Sequence, residues 1–309
     1  MKIKNIEFKN NLILAPMSNI TDVAFRSIAI DCGADAGSTE LISAKALTYN
    51  NQKTLDMLFT ADNENIKIVQ LFGKEPDVMA EACKSDYLKK FDIIDINMGC
   101  PAPKIIKNGE GSALLKNIRL AEEIIRACVN ATNKPITVKF RSGWDNDSIV
   151  AVEFARMCER AGASAITIHA RTAEQGYSGV ADWDIIKQVK ESVNIPVIGN
   201  GDVVDRASYL KMLEYTKVDA VMVGRGAMGQ PYIFSELLGE EDKHNPLHYI
   251  KKHIEILKNF YPERFIIKHM RKHILWYLKN IRNANKLKAE IVMEKDLNVV
   301  LSKLEELFG

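Results

Sequence analysis

This sequence lacks any apolar run close to the length of a membrane span, and its first residues lack a leader. A transmembrane helix needs about 20 consecutive apolar residues, and no stretch of the 309 residues approaches that length. Residues 1–10 carry neither the apolar core nor the cleavage site of a secretory signal. We therefore expect a cytoplasmic protein without a membrane partner.

Cysteines are few, and they lack the spacing of a disulfide framework or a zinc site. There are five, an odd number, with no CxxC pair and no cluster of cysteine and histidine. We therefore expect reduced thiols and no bound metal. Four of the five lie in helical patterns, where a thiol behaves as a small apolar side chain, and only Cys100 follows a predicted strand.

The net charge of +2 conceals an uneven distribution. Residues 243–288 hold 12 Lys/Arg against 2 Asp/Glu, so the rest of the chain holds 30 against 38. Five of the six histidines also fall in this basic segment. Charge blocks are commonly solvated faces, but a basic appendage on a mildly acidic body favours a polyanionic partner such as nucleic acid.

Short apolar runs alternate with helical patterns along the first three quarters of the chain. The runs are rich in β-branched residues and lack in-and-out alternation, which predicts parallel strands buried on both faces. Eight such units over about 240 residues predict a (β/α)8 TIM barrel. An open doubly wound sheet is the alternative, but its Gly-rich turn is missing after the first run. The predicted strands are 12–16, 36–41, 66–72, 93–97, 136–140, 165–169, 197–199 and 220–224, with helices at 81–90, 121–129, 151–161 and 183–193.

Beyond residue 238 the strand signal stops. Residues 239–245 are polar and charged and predict a linker, and the chain from 246 to 308 shows only helical periodicity with a proline break at 259–263. We expect a barrel over 1–240, followed by a small bundle of three or four helices over 245–309.

Polar residues follow the apolar runs at the ends of the predicted strands. The active site of a (β/α)8 barrel lies at these ends, and a charge there must be paired or meet a ligand. The candidates, in strand order, are Pro16, Met17 and Ser18, then Gln70, Asn97, Cys100, Lys139, His169, Arg171, Asn200, Gly201, Asp202, Gly224 and Arg225.

The last two predicted strands end in the glycine-containing stretches "IGNGD" and "VGRGA". Glycine allows a phosphate to approach backbone N–H groups closely, and Arg225 could add a fork of donors. Each stretch alone is more typical of a tight turn. Two of them on consecutive late strands predict a bound phosphorylated small molecule.

Lys139 and His169 lie on neighbouring predicted strands. A lysine inside a barrel needs an anionic or electron-rich partner, and His169 shares its facing with Arg171 two residues on. A lone core histidine is commonly structural, but this placement favours contact with a ligand.

Cys100 lies between Gly99, which allows a sharp turn, and Pro101, which restricts the backbone. Lys104 and Lys107 supply positive charge nearby. A thiol in this setting can transfer a proton or act as a nucleophile, and an inert buried cysteine is the alternative.

Together these stretches resemble the tRNA-dihydrouridine synthase family, in particular its bacterial B-type branch. The matching segments are "LAPMSNITD", "VQLFG", "DINMGCPAPK", "GSALL", "VKFRSGW", "TIHART", "IPVIGNGD" and "VGRGAMGQPYIF", with "IKHMRKHILWYLK" near the carboxyl end. Two departures, Ser18-Asn19 after "APM" and Ala170 between His169 and Arg171, remove no side chain that the chemistry needs.

The resemblance implies an FMN-binding barrel that reduces the C5=C6 bond of D-loop uridines in tRNA with NADPH or NADH, position 17 being favoured. It implies that Cys100 protonates C5 as an acid and that Asn97 and Arg171 address the uracil edge. It also implies that the remaining candidates bind the flavin: Pro16, Met17 and Ser18 line it, Gln70 and Lys139 contact its ring, His169 lies beside it, and Asn200, Gly201, Asp202, Gly224 and Arg225 hold its ribityl chain and phosphate.

Two other functions remain open at this stage. One is a flavin barrel that acts on a free pyrimidine, which the basic carboxyl-terminal segment disfavours. The other is a tRNA-binding protein whose chemistry matters little. We expect a monomer, with Lys268, Arg271 and Lys272 among the residues that contact tRNA.

Overall fold

The computed structural model describes residues 1–241 and 245–308. A short antiparallel hairpin of β1 (Lys2–Ile3) and β2 (Ile6–Glu7) precedes eight parallel strands. These strands close into a barrel, because the last strand pairs with both its predecessor and the first. The predicted TIM barrel is therefore confirmed and the open sheet is excluded. The strands are β3 (Leu12–Leu14), β4 (Ala36–Ser43), β5 (Ile66–Phe72), β6 (Ile93–Met98), β7 (Ile136–Arg141), β8 (Ala165–His169), β9 (Val197–Asn200) and β10 (Ala220–Val223).

The strands are buried on both faces, as their unbroken apolar runs predict. All residues of β6 and β8 are buried, for example. Small and branched side chains fill the lower barrel interior, and Ile3 and Phe8 of the amino-terminal segment pack against them. The hairpin thereby closes the amino end of the barrel, and ligand access is left to the opposite end.

Ten helices lie among and after the barrel strands within residues 1–241. They are α1 (Val23–Asp31), α2 (Ala44–Thr48), α3 (Gln52–Asp56), α4 (Pro76–Lys84), α5 (Pro103–Lys107), α6 (Ile118–Ala131), α7 (Ala151–Arg160), α8 (Trp183–Ser192), α9 (Arg206–Thr216) and α10 (Ile233–Leu238). Three short 3₁₀ helices span Asp86–Leu88, Gly111–Lys116 and Arg225–Ala227.

One predicted helix, 81–90, is displaced. The helix begins at Pro76, whose fixed φ suits the first helical position, and it ends at Lys84. Ser85 adopts an extended conformation, after which the chain makes only a 3₁₀ turn. Helical spacing of the apolar residues continued across this break and concealed it.

Four helices follow the barrel, in agreement with the predicted bundle. They are α11 (Pro246–Lys258), α12 (Glu263–Tyr277), α13 (Asn285–Met293) and α14 (Leu297–Phe308). The proline break falls between α11 and α12, as expected. One apolar core joins these helices to the barrel helices, and α11 packs directly on α1. Residues 242–244 of the predicted linker, and residue 309 of the predicted bundle, lie outside the described residues.

In the part of the chain that the structure describes, no helix is both long and apolar enough to cross a membrane.

Candidate active site at the carboxyl ends of the barrel strands

The register of the parallel strands brings polar residues to one level at the carboxyl end of the barrel. Side chains from non-adjacent parts of the sequence thus become neighbours around the barrel mouth. The paired positions are Gln70 with Asp95, Asn97 with Lys139, Arg141 with His169, and His169 with Asn200.

Gln70 is fully buried, and both ends of its amide have partners. Its Nε2 donates to Asp95 Oδ2 at 2.6 Å, and its Oε1 accepts from Asn97 Nδ2 at 2.8 Å. Thr137 Oγ1 donates to the other Asp95 oxygen at 2.6 Å. Burial raises the pKa of Asp95, and the hydrogen bonds from Gln70 and Thr137 oppose that rise. This network orients the Gln70 and Asn97 amides through contacts within the protein itself.

Cys100 is held by its backbone. Its N–H donates to Asn97 Oδ1 at 3.0 Å, and its carbonyl oxygen accepts from Ser112 N at 3.0 Å and Ser112 Oγ at 3.1 Å. A Cβ on Gly111 would lie 2.6 Å from that carbonyl oxygen, so glycine is what allows this close approach. The thiol is half-buried, and burial raises its pKa above the ordinary value despite a hydrogen bond from Ala102. Cys100 is therefore positioned as a protonated thiol.

The side chain of Lys139, on β7, reaches over β8 to the end of β9. Its Nζ donates to Asn200 Oδ1 at 3.1 Å, and Asn200 Nδ2 donates to the carbonyl oxygen of Met222 at 2.8 Å. Burial, followed by the nearby Arg141 charge, lowers the pKa of Lys139 to about 8. Burial, followed by the nearby charges of Lys139 and three arginines, also lowers the pKa of His169, so its imidazole is neutral at pH 7. The pair offers one cation and one neutral ring to a ligand.

The turn after β9 is strained and held by arginines. Gly201 and Asp202 have φ values of +132° and +58°, and a Cβ on Gly201 would lie 2.7 Å from Ala181 Cβ. Asp202 accepts two hydrogen bonds from Arg171 Nη2, at 2.7 and 2.8 Å, and one from Arg225 at 3.3 Å. Arg171 is buried, and its Nη1 has no hydrogen-bond partner among the described residues.

The loop after β3 lies beside the turn after β10. Pro16 and Met17 are half-buried and Ser18 is exposed. Met17 N donates to Thr21 Oγ1 at 3.0 Å, which folds the loop back toward α1. A Cβ on Gly224 would lie 3.9 Å from Met17 Sδ, so these two strand ends are adjacent across the barrel seam.

Every predicted site residue therefore lies in or directly after a barrel strand, at one end of the barrel. Two of them, which the sequence resemblance assigns to the uracil edge, also form hydrogen bonds within the protein. Asn97 bonds both Gln70 and the Cys100 turn, and Arg171 bonds Asp202. Lysine and arginine outnumber carboxylates among the predicted site residues, which suits an anionic ligand.

The family is decided by comparison with known sequences. The sequence model described as dihydrouridine synthase (Dus) matches residues 13–308, which is nearly the whole chain. The chain belongs to the dihydrouridine synthase family. It is 39% identical to a probable tRNA-dihydrouridine synthase of Rickettsia conorii, covering all of this chain and 96% of that protein. It is also 39% identical to tRNA-dihydrouridine synthase B of Vibrio parahaemolyticus, covering 93% and 92% respectively.

Solved structures agree with this dihydrouridine synthase chain in fold alone. Histamine dehydrogenase from Rhizobium sp. 4-9 superposes with a TM-score of 0.62 at 14% identity, over 77% of this chain and 47% of that one. An amine oxidase acting on 6-hydroxypseudooxynicotine, from Pseudomonas geniculata N1, gives 0.60 at 11% identity, over 77% and 48%. This chain thus spans about half the length of each of these two solved proteins.

Three side chains at the mouth of this dihydrouridine synthase barrel were absent from the predicted set. Arg141 donates to the carbonyl oxygens of Gly99, Thr172 and Gly176, and so ties the Cys100 turn to the loop after β8. Tyr177 lies in that loop, 58% exposed, with the Arg225 guanidinium 4.9 Å from its ring centroid. Ser112 bonds the Cys100 carbonyl. Two of the three had a sequence signal: Arg141 directly follows the fifth predicted strand in "VKFRSGW", and Tyr177 is an aromatic residue between two glycines in "QGYSG".

Proposed function

We propose that this protein is a flavin-dependent tRNA-dihydrouridine synthase that reduces the C5=C6 bond of D-loop uridine, with FMN as cofactor and NADPH as reductant. One observation carries the proposal. In a chain of the dihydrouridine synthase family, the one cysteine at a strand end is fixed by Asn97 and Ser112, among the cationic groups of the barrel mouth.

The residues present suit a flavin mononucleotide. Gly201 lies where a Cβ would meet Ala181 and approach His169 Cδ2 to 3.4 Å, so the glycine keeps open the space beside the imidazole. Arg225, half-exposed, and the glycine turn after β10 would bind the phosphate. Lys139, whose pKa of about 8 leaves its side chain mostly charged at pH 7, would favour negative charge on the ring. Bound flavin would supply the hydride that reaches C6 of uracil.

Cys100 would complete the reduction. After hydride addition to C6, the electron pair of the former double bond lies on C5 and O4. Cys100 Sγ would give its proton to C5, and the resulting thiolate would take a proton from solvent. The raised pKa of the thiol supports this role, because a proton donor must carry its proton at working pH. The balanced reaction consumes one NADPH and one proton per uridine.

The uracil would be held by groups next to the thiol. Asn97 Nδ2 uses one hydrogen on Gln70 and would have a second for the base. Arg171 Nη1 is a buried donor without a partner among the described residues, and a ligand would satisfy it. The target base is stacked in folded tRNA, so it would have to turn out of the stack to enter the barrel.

We further propose a division of labour along the chain. Residues 1–240 would form the catalytic barrel, and residues 245–309 would bind tRNA through backbone charge and shape, as a monomer in the cytoplasm. The basic balance of 243–288 supports this division.

The proposal is tested with the untagged purified protein, FMN, NADPH and a tRNA transcript that carries no modifications. Nucleoside mass spectrometry should find dihydrouridine only when all components are present, and mapping should locate it in the D-loop, at position 17. NADH in place of NADPH measures the reductant preference. Absence of both bound flavin and dihydrouridine would refute the proposal, and reduction of free uracil or orotate without tRNA would favour the free-pyrimidine enzyme.

A further inference from the structure

A buried carboxylate meets three imidazoles where the carboxyl-terminal helices pack on the barrel. Asp22 caps the N-terminus of α1, its Oδ1 accepting from Phe25 N at 2.9 Å. Its Oδ2 lies 3.1 Å from His253 Nε2, 2.7 Å from His269 Nε2 and 3.0 Å from His273 Nε2. All three imidazoles thus present the same nitrogen to one oxygen.

The ligand spacing is that of a metal site. His269 and His273 are four residues apart on α12, which puts both rings on one face of the helix, a spacing used by zinc-binding helices. The ligand atoms of Asp22, His269 and His273 all lie within 4.8 Å of one another. Tetrahedral zinc, with bonds of about 2.0–2.1 Å, separates its ligand atoms by about 3.3 Å. The distances of 2.7 and 3.0 Å from Asp22 Oδ2 to His269 and His273 would therefore have to widen by up to about 0.6 Å to admit the ion, and His253 lies outside this 4.8 Å group.

His273 indicates that hydrogen bonding alone does not complete the cluster. Its side chain is 2% exposed, and its Nε2 has no hydrogen-bond partner of acceptable geometry in the described residues, although Asp22 lies nearby. A buried imidazole nitrogen without a partner is costly, and a cation would satisfy it.

A neighbouring residue also orients one ligand. His253 is fully buried, and its Nδ1 lies 3.2 Å from Tyr277 Oη. With the proton on Nδ1, His253 donates to the tyrosine oxygen and its Nε2 lone pair faces Asp22. Metal-binding histidines are commonly fixed in this way by a partner on the other ring nitrogen.

We propose that Asp22, His269 and His273 bind one divalent transition-metal ion of the zinc class, and that His253, whose Nε2 lies 3.1 Å from Asp22 Oδ2, moves inward to become the fourth ligand. Four protein ligands close the coordination sphere, so the site is structural and joins α11 and α12 to the first helix of the barrel. It does not depend on the proposed function, because metal uptake is measured without tRNA or flavin reduction.

We expected no metal from the sequence because it lacks CxxC pairs and Cys/His clusters. The His269/His273 spacing was the available signal. Its partners lie too far away along the chain for a local pattern to include them, since Asp22 and His269 are 247 residues apart.

The test uses untagged full-length protein, stripped with chelator and then incubated with Zn²⁺ or Co²⁺. After gel filtration, metal analysis should find about one equivalent of Zn²⁺ per chain. Bound Co²⁺ should show the visible absorption of a tetrahedral site with nitrogen and oxygen ligands. Zn²⁺ well above its Kd should raise Tm by on the order of 5 °C.

His269→Gln removes a ligand at the least buried position while it keeps a donor for Asp22. This variant should lose the zinc equivalent and the Tm shift. His248→Gln, which changes an exposed histidine of α11, should keep both. The proposal is overturned if wild type takes up no more zinc than His269→Gln, if Co²⁺ stays octahedral, or if chelator and zinc leave Tm unchanged.

Discussion

At the scale of single residues, the side chain of Cys100 is the only part of that residue that a substrate could contact through a hydrogen bond. Its backbone N–H is taken by Asn97 and its carbonyl oxygen by Ser112, so neither is available to a substrate. The thiol carries its proton because burial disfavours the thiolate. A raised pKa suits the acid proposed above, whereas a nucleophile requires a depressed one.

Replacing Cys100 with alanine should separate the two half-reactions. We expect uridine reduction to fall at least about 100-fold, because general acid catalysis typically contributes that much or more. Reduction of bound flavin by NADPH should be unchanged, since the thiol has no part in it. Stopped-flow absorbance and nucleoside mass spectrometry measure the two rates. Cys158→Ala, at a buried cysteine of α7, is the matched control and should retain both. Loss of flavin reduction in Cys100→Ala would contradict the assignment.

The thiol should also react slowly with alkylating reagents. Because the folded protein raises the pKa of Cys100, a smaller fraction is thiolate at pH 8 than in the unfolded chain. Iodoacetamide should therefore modify Cys100 more slowly than in urea, and the rate should still increase above pH 9. Peptide mass spectrometry follows the modification. A rate that levels off below pH 8 would show a depressed pKa instead.

Sequence reasoning located Cys100 but not what holds it. Its place after an apolar run was visible along the chain. Ser112, twelve residues later, approaches only because Gly111 takes a left-handed conformation, and Arg141 arrives from another strand. These contacts depend on barrel closure, which no local pattern encodes.

At the scale of secondary-structure elements, a buried ion pair joins α1 to the segment before β5. Arg26 and Glu64 are each about 1% exposed and share two hydrogen bonds, at 3.0 and 3.1 Å. Arg26 also donates to the carbonyl oxygens of Thr21 and Phe59. A Cβ on Gly37 would lie 2.8 Å from Arg26 Cγ, so this glycine of β4 makes room for the arginine.

Glu64→Gln should destabilise the fold strongly. Removing one partner leaves a buried guanidinium without a counter-charge, and we expect the free energy of unfolding to fall by about 3–5 kcal/mol. Urea denaturation of wild type and variant measures the difference. Glu123→Gln, in the exposed Arg119–Glu123 pair of α6, is the control and should change it by less than about 1 kcal/mol. Equal effects of the two substitutions would refute this account.

The elements themselves differed in how far the sequence revealed them. All eight barrel strands were found because buried parallel strands are unbroken apolar runs. The β1–β2 hairpin was missed, since strands of two residues are too short to show periodicity. The end of α4 was misplaced because Ser85 interrupts the backbone without interrupting the apolar spacing.

At the scale of the whole molecule, much of the basic segment is neutralised or engaged by the fold. Lys251 pairs with Glu305 and Lys252 with Asp31. Two of the residues predicted to contact tRNA, Arg271 and Lys272, are half-buried, and Arg271 Nη2 donates to the carbonyl oxygen of Glu294 at 2.5 Å. The surface available to a polyanion is therefore smaller than the sequence charge indicates.

Arg264 and Lys268 are exposed one turn apart on α12 and give the cleaner test of tRNA binding. The double change to alanine should weaken binding and lower the slope of log Kd against log salt concentration by roughly 2, one for each lost phosphate contact. Fluorescence anisotropy at several salt concentrations measures the slope. Lys84→Ala with Lys211→Ala, on the outer barrel helices α4 and α9, removes the same charge and should leave it unchanged. Identical slopes for both double variants would remove α12 from the binding surface.

The Asp22 cluster has a consequence for synthesis on the ribosome. Asp22 is made 231 residues before His253. At about 5–20 residues per second, this interval is roughly 10–50 s. Throughout it, the carboxylate has none of its three imidazole partners, and the face of α1 that α11 covers stays open. Even a nascent chain that has reached β10 must therefore wait for its last quarter before the first helix of the barrel is complete.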